Sequence, residues 1–262
     1  MPDYAELVSA FQALGLQEVP VIAHASLKSF GYIPGGAEAV LNAMLASFAS
    51  VIMPTHTYKT KIIPEVGPPN NGIVYGNGIY KNKMAQPFYM EMRADSMMGV
   101  LPEALRNHPS AMRTAHPILS FAGVNADYIL VTQTLYEPLA PIGALAEQEG
   151  WVVLINVDHT VNTSIHYAEK LAGRKQFVRW ALVDDRVVEC PNYPGDSMGF
   201  QALEEHIRAD TRRVHIGDAF IDAVPLKRLF EVVQRLIKQD PLALLCERIE
   251  CERCMAVRAT GR

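Results

Sequence analysis

The densest run of chemistry-bearing side chains lies between Asp158 and Glu169, where His159, Asn162, Thr163 and His166 also fall. Asn162 and Thr163 are good helix caps, so a helix over 164–172 would start there. That helix would carry His166 and Glu169, three residues apart, on one face. A neutral imidazole beside a carboxylate is a general base, because the carboxylate fixes the tautomer and stabilises the imidazolium. The same spacing also suits a plain surface pair. A second run begins at His24 and continues through Ser26, Leu27, Lys28 and Gly31 to Gly35-Gly36 at a helix start. His24 ends an apolar strand, and ligands in open α/β sheets gather at the carboxyl ends of strands. Ser26, Lys28 and the amides ahead of the Gly35-Gly36 helix suit a phosphate or polar ligand. A strand-end histidine can equally be a buried hydrogen-bonding group. A third run joins Arg113 and His116-Pro117 to Ser120, Ala122 and Gly123. Its small residues allow close backbone approach to a ligand, or simply form a turn entering a strand.

The hydrophobic pattern supplies the elements that must hold these runs. Helices are expected over 2–14, 36–48, 100–106, 142–149, 164–172, 200–209 and 226–239. Strands are expected over 19–24, 51–54, 119–123 and 151–157, the last apolar enough to be central. Residues 177–183 and 186–190 flank Asp184-Asp185 as a hairpin. Strands alternating with helices predict an α/β fold, a mixed central sheet flanked by helices, in one domain over 1–262. Residues 58–96 break the pattern with Pro64, Pro68, Pro69, Gly72, Gly76 and Gly78. So long an irregular stretch inside a domain is expected to be a substrate loop, a lid or lobe.

The 262 residues are 49% hydrophobic, ample for a packed core. A net charge of −4 argues against a protein that coats nucleic acid by charge, but not against a cationic small substrate. The first residues show no basic region followed by an apolar one, so no signal peptide is expected. The uncharged run 39–58 contains Asn42, Pro54 and His56 and divides into a helix and a strand, not a membrane span. Four cysteines do not make a disulfide framework, and the expectation is a cytoplasmic protein with reduced thiols and no membrane partner. Cys246, Cys251 and Cys254 are spaced to hold zinc, with Cys190 or a histidine as fourth ligand, or to remain free thiols. Residues 195–199 match G-x-S-x-G around Ser197, the nucleophile elbow of serine hydrolases. Pro191 and Pro194 place a loop there, not the strand that motif needs, and only His206 and His215 follow.

Taken in order, these runs resemble the aminoglycoside 3-N-acetyltransferase family, the antibiotic N-acetyltransferase type. The matching stretches are 24–36, Met53-Pro54-Thr55, 98–103, 116–123 and 162–169, in family order across most of residues 1–200. The resemblance implies a fold particular to that family and not that of the GNAT superfamily. The cofactor loop of that larger group has its nearest approach at Gln12 to Gln17, which fails at the last position. It also implies acetyl transfer from acetyl-CoA, as co-substrate, to the 3-amino group of a 2-deoxystreptamine aminoglycoside.

Carried over residue by residue, the resemblance makes His166 the general base and Glu169 its carboxylate, with Glu189 as the alternative. His24 contributes through substrate contact or base assistance. Ser26, Leu27, Lys28, Gly31, Ser120, Phe121 and Ala122 would line the coenzyme path, and Thr163 would offer a hydroxyl to the oxyanion. Direct transfer requires no cysteine nucleophile and no catalytic metal. Ala25, Ala115 and Val124 depart from the family pattern and alter donor details. A polycationic acceptor needs carboxylates, and several of Glu65, Glu91, Asp95 and Asp158 are expected to line one groove. A homodimer is compatible with this reading. The competing functions are a related acetyltransferase acting on a non-antibiotic amine and a hydrolase using Ser197.

Overall fold

Continuous apolar strands form where a sheet is covered on both faces, and that is how the central strands of this chain are used. The computed structural model describes residues 2–261; Met1 and Arg262, the ends of the expected domain, lie outside them. The first half comprises α1 (Tyr4–Ala13), β1 (Pro20–Ala25), α2 (Gly36–Leu45), β2 (Ser50–Pro54), β3 (Lys61–Ile62), α3 (Ile79–Lys83), α4 (Val100–Arg106), β4 (Ala111–Arg113), β5 (Phe121–Val124) and α5 (Asp127–Leu130). The second half comprises α6 (Ala140–Glu147), β6 (Trp151–Ile155), α7 (Ser164–Leu171), β7 (Phe177–Val183), β8 (Arg186–Tyr193), α8 (Glu204–Ile207), β9 (Arg212–Ile216), β10 (Ala219–Pro225), α9 (Leu226–Gln239) and α10 (Glu252–Thr260).

The main sheet has the order β4-β5-β2-β1-β6-β10-β9. β1 runs parallel to both β2 and β6, and every other neighbour in this sheet is antiparallel. The expected mixed α/β sheet flanked by helices is therefore the architecture observed. From β1 the chain moves to β2 on one side and only later to β6 on the other. The carboxyl end of β1 is thus the switch point where open α/β sheets leave a crevice.

Side chains alternate across the sheet with a period of two. Val21, Ala23, Val153 and Ile155 face α1, α2 and α4, whereas Ile22, Val152 and Leu154 face α5, α6, α7 and α9. His24 shares the face of Ile22, so it points toward the side where α7 packs. Gly123 on β5 is required by close packing on β2: an added Cβ would lie 2.7 Å from Ile52 Cγ2 and 2.9 Å from the Val51 carbonyl oxygen.

The expected hairpin is β7 and β8, with Asp184 at φ +52° in its turn. Its third strand is not one the sequence pattern predicts. The irregular segment supplies β3, which pairs Lys61 with Ala181 and Ile62 with Trp180, and Phe88 bridges to Val183. The segment over 58–96 is therefore part of a small lobe with its own core, including Phe177, Tyr193 and, from α10, Ala256 and Val257. The region expected as one helix over 200–209 is instead α8 between two 3₁₀ turns. No helix among the described residues is long and apolar enough to cross a membrane.

Candidate active site

Sheet order explains why distant histidines meet. β1 ends at His24 and Ala25, paired with Leu154 and Ile155 at the carboxyl end of β6. β2 runs on into Thr55 and His56. β5 is antiparallel to β2, with Phe121 opposite Pro54, so its preceding loop brings Ser120 and His116 to the same end. The Thr55 amide donates to the Ser120 carbonyl at 2.8 Å, and the Thr57 amide donates to the Ile118 carbonyl at 2.9 Å. Past β6 the chain turns through Asp158 to Asn162 and enters α7, which carries His166. His24, His56, His116 and His166 are all buried.

His166 and Glu169 form a close pair. Nδ1 of His166 lies 3.0 Å from Oε2 of Glu169, and Nη1 of Arg174 lies 3.8 Å from the other carboxylate oxygen. Arg174 is itself anchored by a 2.8 Å bond from Nη2 to the Ala243 carbonyl. The Phe200 ring meets the His166 ring edge-on, with centroids 4.7 Å apart. A carboxylate can only accept, so the Nδ1–H donates to it and the Nε2 lone pair is left for a substrate proton. Asn162 caps α7, its Oδ1 accepting from the Ser164 amide at 3.1 Å, whereas the half-buried Thr163 makes no capping bond. Glu189 is exposed on the hairpin opposite Trp180, so Glu169 and not Glu189 is the carboxylate beside His166.

The other three histidines are neutral. Burial pushes His24 down to about 3. Burial also pushes His56 to about 3, helped by the nearby His116, His24, His166 and Lys61. His116 falls to about 4 through burial, and its Nδ1 accepts from the Ile118 and Leu119 amides at 3.1 and 3.0 Å. The Nε2 atoms of His24, His56 and His116 have no hydrogen-bond partner among the described residues. His56 was not among the sequence candidates, although it follows Met53-Pro54-Thr55 directly at the end of a strand.

The remaining candidates separate into open and buried groups. Ser26 and Leu27 are half-buried and Lys28 and Gly31 exposed on a 3₁₀ turn at the end of β1. Close by in sequence, α2 begins at Gly36 (φ +58°) with Gly35 (φ +80°) as its N-cap; the Gly36 amide donates to the Ile33 carbonyl at 2.9 Å, and no side chain caps the helix, so the Ala37 and Glu38 amides suit an anion. Ser120, Phe121 and Ala122 are fully buried, unlike the open Ser26–Gly31 turn. Phe121 and Ala122 sit in β5 between two strands, and the Ser120 hydroxyl donates to the Thr55 carbonyl at 2.8 Å. Arg113 shares in this structural role. Its Nη1 donates to the Met90 and Met92 carbonyls and its Nη2 to the Thr55 carbonyl, clamping the irregular segment to the sheet. Burial lowers Arg113 to about 10, so it stays charged.

The acidic groove is also revised. A cavity of about 620 Å³ lies beyond β6 and β10, lined by Asp158, Glu204 and Asp222 together with Arg208 and Arg213. Several of four carboxylates are expected in one groove, and only Asp158 lines this cavity. Glu65 and Glu91 are exposed elsewhere, and Asp95 caps a turn through the Met97 amide at 3.1 Å. Arg213 grips Asp222 through two 2.6 Å bonds. Asp158 forms no ion pair with a cation among the described residues, and its carboxylate accepts from the amide and hydroxyl of Thr160. Ser197 lies in a loop after β8, so the strand-to-helix elbow a hydrolase would need is absent there.

This fold recurs in known proteins. The family model described as aminoglycoside 3-N-acetyltransferase matches residues 22–238. The SPbeta prophage-derived aminoglycoside N(3')-acetyltransferase-like protein YokD of Bacillus subtilis (strain 168) is 30% identical over 169 residues, covering 60% of this chain and 61% of that protein. Aminoglycoside N(3)-acetyltransferase VII of Streptomyces paromomycinus is 30% identical over 177 residues, covering 63% of this chain and 60% of that protein. The chain thus spans less than two thirds of the length of these two relatives. The aminoglycoside acetyltransferase AAC(3)-IVa apoenzyme superposes with a TM-score of 0.78 at 21% identity, covering 98% of this chain and 96% of that one. AAC-IIIb in its binary complex with CoASH superposes with a TM-score of 0.72 at 20% identity, covering 91% and 97%.

Proposed function

Because the chain belongs to the aminoglycoside 3-N-acetyltransferase family, we propose that it transfers the acetyl group of acetyl-CoA to an aminoglycoside amine, with His166 as general base. The observation that carries this is the 3.0 Å His166–Glu169 contact at the start of α7, where the parallel strands end. An ammonium cannot attack a thioester until it loses a proton. His166 Nε2 takes that proton, and Glu169 stabilises the imidazolium. The free amine then attacks the acetyl carbon and the C–S bond breaks; the second proton lost by the nitrogen goes to the departing thiolate to give CoASH, and His166 returns its proton to solvent. Thr163 and nearby amides are assigned to the oxyanion as donors. The proposed acceptor position is the 3-amino group of 2-deoxystreptamine, and acetylation there would disarm the antibiotic.

The coenzyme is assigned to the Ser26–Gly31 turn and the uncapped start of α2. AAC-IIIb holding CoASH on the same fold supports a coenzyme of that kind. A variant of AAC(3)-IVa in complex with a gentamicin supports the acceptor class. The neutral state of His24, His56 and His116 keeps positive charge away from a polycation. Asp158, without a cationic partner, offers it a carboxylate. No step needs a metal. Acetyl-CoA is a cytoplasmic metabolite, in keeping with the expected location.

Thiol release from acetyl-CoA, measured against a panel of aminoglycosides and simple amines, tests the reading. Turnover is expected with aminoglycosides bearing a free 3-amino group, and His166→Ala should lower kcat by about 10²–10⁴-fold. Turnover with simple amines alone would assign the non-antibiotic alternative. No thiol release with any amine would refute acetyl transfer. Ser197→Ala should leave transfer unchanged.

A further inference from the structure

Three buried cysteines converge on a buried carboxylate outside the catalytic site. The sulfurs of Cys246, Cys251 and Cys254 and a carboxylate oxygen of Asp196 all lie within 4.8 Å of one another. Cys246 and Cys254 are 3.3 Å apart, sulfur to sulfur, well beyond a disulfide bond of about 2.05 Å. In a tetrahedral zinc site with Zn–S bonds of about 2.3 Å, the ligand atoms stand about 3.8 Å from one another. The observed spacing brackets that value. Cys190 is not part of the group: it sits in the core of the small lobe with Sγ 3.8 Å from the Val188 carbonyl. Asp196 takes the fourth place, and it is the residue beside Ser197 in the motif that suggested a nucleophile.

Charge balance points the same way. Zn²⁺ with three thiolates and one carboxylate has a formal charge of −2. Two guanidinium groups reach the same carboxylate oxygen, Nη2 of Arg253 at 2.8 Å and Nη2 of Arg248 at 3.1 Å. They bring the cluster to neutrality. With neutral thiols and no ion, the same two cations would face a single buried carboxylate. Its other oxygen accepts from the Met198 amide at 3.0 Å and is held in place.

We propose that Asp196, Cys246, Cys251 and Cys254 bind one zinc ion. Four protein ligands leave no open position, so the ion is structural. It ties together the loop after β8, the segment after α9 and the first turn of α10. A nine-residue helix is marginal by itself. α10 nevertheless supports the small lobe: Ala256 and Val257 enter its core, and Asn70 Nδ2 donates to the Ala256 carbonyl at 3.1 Å. The ion thus stiffens the lobe that carries the irregular segment. All three cysteines lie beyond the residues matched by the family model. The proposal is independent of the acetyltransferase reading.

The test is elemental analysis of the full chain, purified without a metal-binding tag from zinc-containing medium. About one zinc per chain is expected, released when a mercurial titrates the thiols. Cys190→Ser should keep it, and Cys251→Ser and Cys254→Ser should lose it. Cobalt exchanged into the wild-type protein should give the visible bands of a tetrahedral thiolate site. Chelator treatment should lower Tm, and zinc should restore it. Less than about 0.2 equivalents of metal in the wild-type protein would overturn the proposal. So would a Cys246–Cys254 disulfide in a non-reducing peptide map, or zinc retained by a Cys246→Ser, Cys254→Ser double variant. The wild-type measurements decide even if a variant fails to fold.

Discussion

Glu169→Gln is the sharpest probe of the proposed base. The substitution keeps the shape and an oxygen acceptor for the His166 Nδ1–H, and removes only the charge. At charge centres about 4 Å apart, a carboxylate and an imidazolium attract by about 4 kcal/mol at an effective dielectric of 20. Part of that attraction persists as a neutral hydrogen bond, and charged hydrogen bonds contribute about 1.5–3 kcal/mol. The imidazolium forms during proton abstraction, so that loss falls on kcat, by about 10- to 150-fold. KM for both substrates should stay within about twofold, because neither reaches Glu169 in its buried position. The assay is steady-state thiol release with an aminoglycoside identified as a substrate. Removing the carboxylate also strips Arg174 of its anionic neighbour, so each variant needs a melting curve to show it is folded at the assay temperature. The decisive comparison is the double variant. If His166 and Glu169 act as one unit, the double variant should be no slower than His166→Ala alone. A Glu169→Gln enzyme within about threefold of wild type, or additive losses in the double variant, would refute the base–carboxylate pair.

The neutral histidines predict acid sensitivity. His24, His56 and His116 sit at about 3, 3 and 4 when folded, below an unfolded value of about 6.5, so the unfolded chain binds more protons across that window. Stability should therefore fall as pH drops below about 6.5, by about 1.4 kcal/mol per pH unit for each ring. Urea unfolding at pH 7, 6 and 5 should show a shallower decline for His56→Asn than for wild type; an unchanged slope would count against the neutral, buried ring. Gly123→Ala should cost about 1–3 kcal/mol in the same measurement, since its Cβ would press on Ile52 and the Val51 carbonyl, and a loss under about 0.5 kcal/mol would mean the strands relax freely. Asp158→Asn should raise KM for a cationic acceptor about 3- to 10-fold with little change in kcat, and should weaken its salt dependence. Unchanged KM would remove the cavity beyond β6 from the acceptor path.

Much of the fold was legible because local patterning and tertiary demand agree. Strand 19–24 and helix 226–239 appear nearly as their apolar spacing predicts, as β1 and α9. β3 was not legible, because two residues without alternation become a strand only when β7 offers an edge. β9 and β10 are hidden from sequence patterning for a related reason. Their polar residues, such as Arg213 and Asp222, satisfy each other only once the strands pair.

The site divides along the same line. Short-range spacing by itself determined that His166 and Glu169 share a helix face, since three residues is nearly one turn whatever surrounds it. Only the tertiary structure decided that the pair is buried, that Arg174 backs it, and that His56 joins it from another strand. It also decided that Ser120 to Ala122 are sheet core, that Asp158 shares its cavity with Glu204 and Asp222, and that Asp196 completes the three cysteines. The physical reason is range. Helix periodicity is a property of neighbours, whereas burial, charge pairing and a metal's coordination shell depend on which distant segments the sheet order brings together.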